Sequence, residues 1–193
     1  MELMSGQVVA NTTAVGTQML TGFNSSNASF HRWATLYKYI RQGFIFLDNA
    51  KDYMGSEQDV SYISKKDMDR LKAETKFLIA YSYFSLFELY GPVPLITEIE
   101  DPENKTIDYP RASVDEIVNY IDRLLQEVLD SNALPETLFT ESASGSLDYE
   151  HNNDRYNLKE IVRPTKVTVL ALRAKLWVYA ASPLFNGGDG EAL

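Results

Sequence analysis

Apolar residues recur at helical spacing along most of the chain, and the densest run lies between Lys72 and Thr97. This run changes from an amphipathic helix to one that is apolar on nearly all sides, and it ends at Gly91-Pro92. A helix that is apolar all round must be buried, in protein or in membrane. Glu74 and Glu88 interrupt the run, which falls short of the ~20 uninterrupted apolar residues that a bilayer span needs. The pattern therefore predicts the central core helix of a soluble helical protein.

The other helices are predicted from their periodicity and from the residues at their ends. Ser64 precedes Asp67, and Ser113 precedes Glu116, by the three residues that a helix-capping pattern requires. Ser29 is a plausible N-cap for an earlier helix. Together these signals predict helices at about 30–50, 65–90, 113–131 and 165–182.

The regions between the helices are rich in polar residues, glycine and proline. Residues 1–29 are predicted to be an irregular N-terminal segment, and residues 30–193 a single helical domain. Residues 136–162 are predicted to be a polar, irregular loop. Pro164 and Pro183 lie on either side of the last helix, whose apolar content implies deep burial.

The spacing of small and aromatic residues indicates how the helices pair. Ala80 and Phe84 match the alanine–phenylalanine step of the second helix of a tetratricopeptide repeat, and Trp33 and Leu36 match the tryptophan–leucine step of its first helix. The predicted fold class is therefore all-α, with tetratricopeptide-like antiparallel helix pairs in an α–α superhelix and long irregular loops. Several aromatic residues at helical spacing are expected to pack in the core: Tyr81, Tyr83, Phe84, Phe87, Tyr90, Trp177 and Tyr179.

Composition excludes several classes of site. The formal net charge of −9 disfavours non-specific binding to nucleic acid or to anionic lipid. The absence of cysteine excludes disulfides and thiolate metal sites. His31 and His151 lack metal-binding spacing, and no motif of a nucleophile or of a phosphate loop is present. We therefore predict no catalysis, no cofactor and no metal.

Four stretches together resemble the SusD/RagB family. They are WATLYKYIRQGFIFL from Trp33, the Ala73–Pro94 run ending in LYGPVP, PRASVDE from Pro110, and RPTK from Arg163 followed by ALRAKLWVYAASPLFNGG. The resemblance covers about residues 30–188. Family members are longer and begin with a signal peptide and a lipidated cysteine, so the chain resembles the N-terminal helical part of such a protein.

The resemblance implies a function in nutrient uptake. Family members bind oligosaccharide or another nutrient at the cell surface, in the outer membrane, and act with a SusC-like TonB-dependent transporter. Membrane attachment would require a lipid anchor that is absent from this chain. The alternative is a helical scaffold or protein-interaction module that docks on the transporter and has no ligand affinity of its own.

Candidate ligand-binding residues are aromatic side chains in polar loops, because a ring can stack on the apolar face of a sugar while polar neighbours bond to its hydroxyls. The predicted ligand contacts are Phe30, Tyr53, Tyr62, Tyr149, Tyr156, Asn152 and Arg155. Packing of the same rings as loop anchors on the helices is the alternative. Arg111 and Arg163 are expected to pair with acids or with carbonyls near helix ends. Polar residues on the third helix are expected to be solvated, or to face a partner protein: Asp115, Asn119, Asp122, Arg123 and Glu127.

Overall fold

The computed structural model describes residues 31–51, 63–99, 109–136, 139–141, 147–149 and 163–186. Four long helices account for most of them: α1 (Trp33–Asn49), α2 (Lys65–Tyr90), α3 (Val114–Asp130) and α4 (Lys166–Ala180). The chain divides between Ala34 and Thr35 into two units, and the packing described below is that of the second.

Side-chain hydroxyls at the helix starts explain where α2, α3 and α4 begin. Ser64 Oγ accepts a hydrogen bond from the Asp67 amide at 3.1 Å. Ser113 and Glu116 form a complete capping box, and Thr165 forms the corresponding pair with Thr168 at the start of α4. Such bonds satisfy amides that have no partner within the helix. The two caps predicted from serine and a following acid are therefore confirmed, and Ser29 lies outside the described residues.

Neighbouring helices run antiparallel. Tyr37 of α1 contacts Tyr83 of α2, and Gly43, further along α1, faces Ile79, which comes earlier on α2. The two helices therefore run in opposite directions. Between α2 and α3, Tyr83 contacts Tyr120 and Lys76 bonds to Glu127. The predicted helical fold class is confirmed.

Helices α3 and α4 are joined by a polar contact at the edge of their interface. Arg173 donates to both carboxylate oxygens of Asp122, at 2.6 and 2.9 Å, and to Gln126 at 2.6 Å. Trp177 Nε1 donates to the same carboxylate at 2.9 Å. The expectation that Asp122 is solvated or faces a partner protein is therefore wrong, because α4 covers it.

The core lies where α2 meets its neighbours. Its centre includes Tyr83, Phe84 and Phe87 on α2, which are at most 1% exposed. Helix α3 contributes one continuous apolar face, and α4 contributes Val169, Leu172 and Leu176. A buried ion cluster lies beside this core, where Glu74 Oε1 accepts from Arg70 and from Arg163, each at 2.9 Å.

Two expectations about burial are wrong. Tyr81 is 50% exposed and Trp177 is 36% exposed, although both were expected in the core. Helix α4 is not deeply buried on every side, because Val167, Leu170 and Val178 are more than half exposed. The described helices pack against only one side of α4, so its other apolar face has no described neighbour.

The predicted irregular loop at 136–162 contains regular structure. Strands β1 (Phe139–Glu141) and β2 (Leu147–Tyr149) pair antiparallel, with Phe139 opposite Tyr149. A short helix, α5 (Pro183–Asn186), follows α4. Each strand has three residues, which is too short to show an alternating pattern in the sequence.

Candidate functional site

The extended backbone after α2 forms one wall of the candidate site. Gly91 ends the helix with φ of 67°, a left-handed conformation that glycine adopts at little cost. Beyond it, Tyr37 donates its hydroxyl to the Pro94 carbonyl at 2.7 Å. Tyr83 donates to the Ile96 carbonyl at 2.6 Å and accepts from the Ile96 amide at 2.9 Å. Two tyrosine hydroxyls therefore fix a segment that has no strand partner of its own.

Burial keeps the Tyr37 hydroxyl protonated. It raises the pKa of Tyr37 to about 12, although the positive charge of Arg111 opposes part of that rise. The hydroxyl therefore remains a hydrogen-bond donor across the physiological pH range.

The segment before α3 lies against the same wall. The Ala112 amide donates to the Val93 carbonyl at 3.2 Å. Arg111 donates from one guanidinium nitrogen to the Tyr90 carbonyl at 3.2 Å and to the Pro92 carbonyl at 2.6 Å. This confirms that Arg111 binds carbonyls near a helix end, and the pairing of Arg163 with Glu74 confirms the matching expectation for Arg163.

A groove opens between these segments and the first half of α3. Its volume is about 610 Å³, within the ~300–1,000 Å³ typical of small-molecule sites. The ring of Tyr120 meets that of Tyr83 edge-on at 5.4 Å, and the guanidinium carbon of Arg123 lies 5.2 Å from the Tyr120 ring centroid. The lining residues, which we call the tyrosine–arginine groove, are Leu95, Tyr109, Pro110, Arg111, Ala112, Glu116, Asn119, Tyr120 and Arg123.

The groove carries both aromatic surface and charge. Tyr109 is 41% exposed, so part of its side chain is accessible. Tyr120 is buried, and desolvation raises the pKa of its hydroxyl to about 12, with Arg123 lowering it slightly and Glu127 raising it. Glu116 is held by the Ser113 amide at 2.7 Å and by the Ser113 hydroxyl at 2.8 Å. These bonds lower the pKa of the Glu116 carboxyl, which therefore remains an anion at neutral pH.

A second cavity of about 480 Å³ lies between α1, α2 and α3. No aromatic residue lines it among those that the structure describes. Its lysine and glutamate side chains also bond to each other, with Lys76 Nζ 2.7 Å from Glu127 Oε2. The tyrosine–arginine groove therefore has the better chemistry for a sugar ligand.

The predicted ligand contacts do not lie in the described part of this groove. Tyr149 is in β2, opposite Phe139, and its side chain is not described. The remaining predicted contacts lie outside the described residues: Phe30, Tyr53, Tyr62, Asn152, Arg155 and Tyr156. Their role stays a prediction.

Sequence reasoning missed Tyr109, Tyr120 and Arg123. The available signal was the spacing of Glu116, Tyr120 and Arg123 on α3, which places them on one stripe beside the apolar face. Arg123 was assigned to the solvated face, and the structure agrees that it is exposed. What the spacing did not show is that the segment around Tyr109 lies next to that stripe.

Two further findings concern the described residues alone. No group of three or more acidic or histidine side chains is placed to hold a metal ion. None of the described helices is both long enough and apolar enough to cross a bilayer.

Comparison with family models gives a match over residues 5–146 to the SusD-like family described as starch-binding and associating with the outer membrane. The match covers most of the chain. The chain belongs to the SusD-like family. The tetratricopeptide-like helices and the resemblance of the four stretches agree with this assignment, and carbohydrate binding and outer-membrane association are the family's described properties.

Solved structures share the fold of the chain. The protein BT4246 is 30% identical, with a TM-score of 0.59 over 80% of this chain and 22% of its own. A laminarin-binding SusD-like protein is 22% identical, with a TM-score of 0.56 over 81% of this chain and 28% of its own. A SusD superfamily protein from Bacteroides thetaiotaomicron is 20% identical, with a TM-score of 0.60 over 89% of this chain and 36% of its own.

The chain thus spans between about a fifth and just over a third of the length of these solved structures. The comparison with curated proteins finds no match.

Proposed function

We propose that this SusD-like chain takes part in nutrient uptake by binding an oligosaccharide, without catalysing its cleavage. The observation that carries this proposal is a groove in which tyrosine side chains lie beside arginine, asparagine and glutamate, in a family described as starch-binding. A sugar presents apolar C–H faces and many hydroxyls, so a ring with polar neighbours suits both surfaces. Each stacked ring contributes about 1 kcal/mol beyond area burial, so the affinity should be modest.

Family membership also supports a location and a partner. We place the protein at the cell surface, in the outer membrane, attached through a lipid anchor. It would pass bound oligosaccharide to a SusC-like TonB-dependent transporter. Purification of the protein from outer membranes with its native partners, followed by mass spectrometry, tests both statements. Recovery without any transporter would contradict the partnership.

Calorimetry with a panel of neutral oligosaccharides, including laminarin oligomers, tests binding by the chain itself. Tyr109→Ala should weaken binding about tenfold, because it removes an accessible ring. Tyr39→Ala is the matched control, since Tyr39 is 56% exposed and lies on α1 outside the groove. An equal effect of both changes would show that the groove is not the site, and loss on Tyr149→Ala alone would favour the predicted loop contacts instead.

A second function is a helical module that docks on another protein and has no sugar affinity. The observation that favours it is the outward face of α4 and α5, where Val167, Leu170, Val178 and Leu184 are between 52% and 76% exposed. An absence of binding to any saccharide, together with transporter recovery that is lost on changing these residues, would support this function over the first.

A further inference from the structure

We propose that the tyrosine–arginine groove selects saccharides that carry a carboxylate, such as those containing uronic acid residues. This inference rests on the proposed function, because it assumes that the ligand of the groove is a saccharide. It goes further by naming the charge of that ligand.

The charges that line the groove carry the first part of the argument. Among the lining residues that the structure describes, Arg111 and Arg123 are positively charged and Glu116 is the one acid. A guanidinium group beside the groove would favour a ligand carboxylate, whereas a neutral sugar gains nothing from its charge.

Glu116, the acid among the described lining residues, already has hydrogen-bond partners. Glu116 Oε2 accepts from the amide and the hydroxyl of Ser113 at 2.7 and 2.8 Å, as part of the α3 capping box. Glu116 forms no salt bridge to either arginine among the described residues. Its carboxylate therefore completes the helix start and forms no ion pair with Arg123.

The position of Arg123 carries the second part. Its guanidinium lies over the Tyr120 ring, 5.2 Å from the centroid, and the side chain is exposed. Within the described part of the chain, no carboxylate lies within ion-pair distance of it. A contact with the ring face does not use the guanidinium N–H donors, so they are available for a bidentate bond to a carboxylate.

The remaining lining residues suit a saccharide better than a free carboxylate. Arg111 is fixed by its bonds to the Tyr90 and Pro92 carbonyls. Tyr109 offers a partly exposed ring, and Asn119 an exposed amide on the same side as Arg123. A sugar ring can meet the aromatic and amide groups while its carboxylate meets Arg123.

The test compares two probes with the same backbone: a tetramer of (1→4)-linked galacturonic acid and its full methyl ester. Calorimetry on the intact chain should show the acid form binding at least about tenfold more tightly, since a charge-assisted bidentate bond is lost in the ester. Arg123→Gln should remove that difference. Arg123→Lys should restore part of it. Raising the salt concentration should weaken the acid form alone.

Arg41→Gln is the matched control, because it removes an exposed positive charge on α1, outside the groove. It should leave the preference intact. Equal affinity for acid and ester, or an equal effect of Arg41→Gln and Arg123→Gln, would overturn the inference. So would binding of a glutamate tetrapeptide as tightly as the uronate, because the preference would then be for charge and not for a sugar.

These outcomes are distinct from failure of the proposed function. If neutral oligosaccharides bind and the uronate binds no better, the inference fails and the proposed function stands. If neither the neutral panel nor the two galacturonate probes bind, the proposed function fails, and the inference that rests on it fails as well.

Discussion

A single glycine determines how closely α1 approaches α2. A Cβ atom added at Gly43 would lie 2.7 Å from Ile79 Cγ1 and 2.9 Å from Ile79 Cδ1. Ile79 is 1% exposed, so its side chain has little space to move away. Nothing in the apolar pattern of α1 marks this position as special. The importance of Gly43 comes from its contact with α2, and the sequence of α1 alone does not show which of its residues touch α2.

Gly43→Ala should therefore destabilise the protein, although alanine is the better helix former. Overpacking of a filled core costs about 1–3 kcal/mol, against a helix-propensity gain of up to about 1 kcal/mol. Urea unfolding followed by circular dichroism measures the difference. The double variant Gly43→Ala with Ile79→Ala should lose less stability than the sum of the two single changes, and strict additivity would contradict the close contact.

Glu74 is the second residue on which local stability depends. Its carboxylate is shared by Arg70, which is 6% exposed, and by Arg163, which lies 89 residues later in the chain. Glu74→Gln would remove the buried carboxylate that Arg70 and Arg163 share and should cost about 3–5 kcal/mol. Glu88→Gln on the same helix is the control, since its bond to Lys175 is largely exposed and should contribute less than about 1 kcal/mol. Similar losses for both changes in urea unfolding would show that burial is unimportant here.

At the scale of the elements, α3 and α4 are joined through one carboxylate. The hydrogen bonds from Arg173 lower the pKa of Asp122, the bond from Trp177 lowers it further, and desolvation opposes the shift in part. The same pair raises the pKa of Arg173 above its ordinary value. A group whose pKa is lower in the folded state stabilises the fold above its unfolded pKa, and this contribution is lost as the pH falls through the folded pKa.

The unfolding free energy should therefore decrease as the pH falls below the ordinary aspartate pKa of about 3.9. Asp122→Asn should cost about 1–3 kcal/mol at neutral pH, since it removes hydrogen bonds to a charged partner. It should also flatten the dependence of stability on pH in the acid range. Thermal unfolding of both proteins between pH 6 and pH 2 makes the comparison, and parallel curves would rule out a role for Asp122.

The elements also show what sequence could and could not predict. The caps at Ser64 and Ser113 were predictable because each depends on residues three positions apart. The contact of Asp122 with Arg173 was not, because it depends on how α4 crosses α3. The groove has the same limitation, since it depends on the bonds that join Arg111 and Ala112 to the backbone that follows α2.

At the scale of the whole molecule, the main departure from expectation is the unpaired apolar side of α4. Apolar content predicted deep burial, yet Val167 is 63% and Val178 is 75% exposed. Composition reports how much apolar surface a helix has, whereas burial also depends on how many neighbours surround it. In this chain the described helices cover only one side.

Replacing Val167 by Glu and Val178 by Lys should lower self-association without altering the fold. The pair keeps the net charge at its present value, and each new charge is favourable for the helix dipole at its end of α4. The unfolding free energy should stay within about 0.5 kcal/mol of the parent. Analytical ultracentrifugation measures association. Leu176→Lys is the contrasting variant, because Leu176 is fully buried and this change should unfold the protein.

The bonds of Tyr83 to Ile96 lead to a result that can be observed by isotope exchange. The Ile96 amide belongs to no helix or strand, yet the Tyr83 hydroxyl accepts its proton at 2.9 Å. Its deuterium uptake should be slow, at a rate nearer to that of the core of α2 than to that of a surface loop. Tyr83→Phe should make this amide exchange rapidly while the amides of α3 keep their protection. One backbone proton would then report, in solution, whether the wall of the groove is in place.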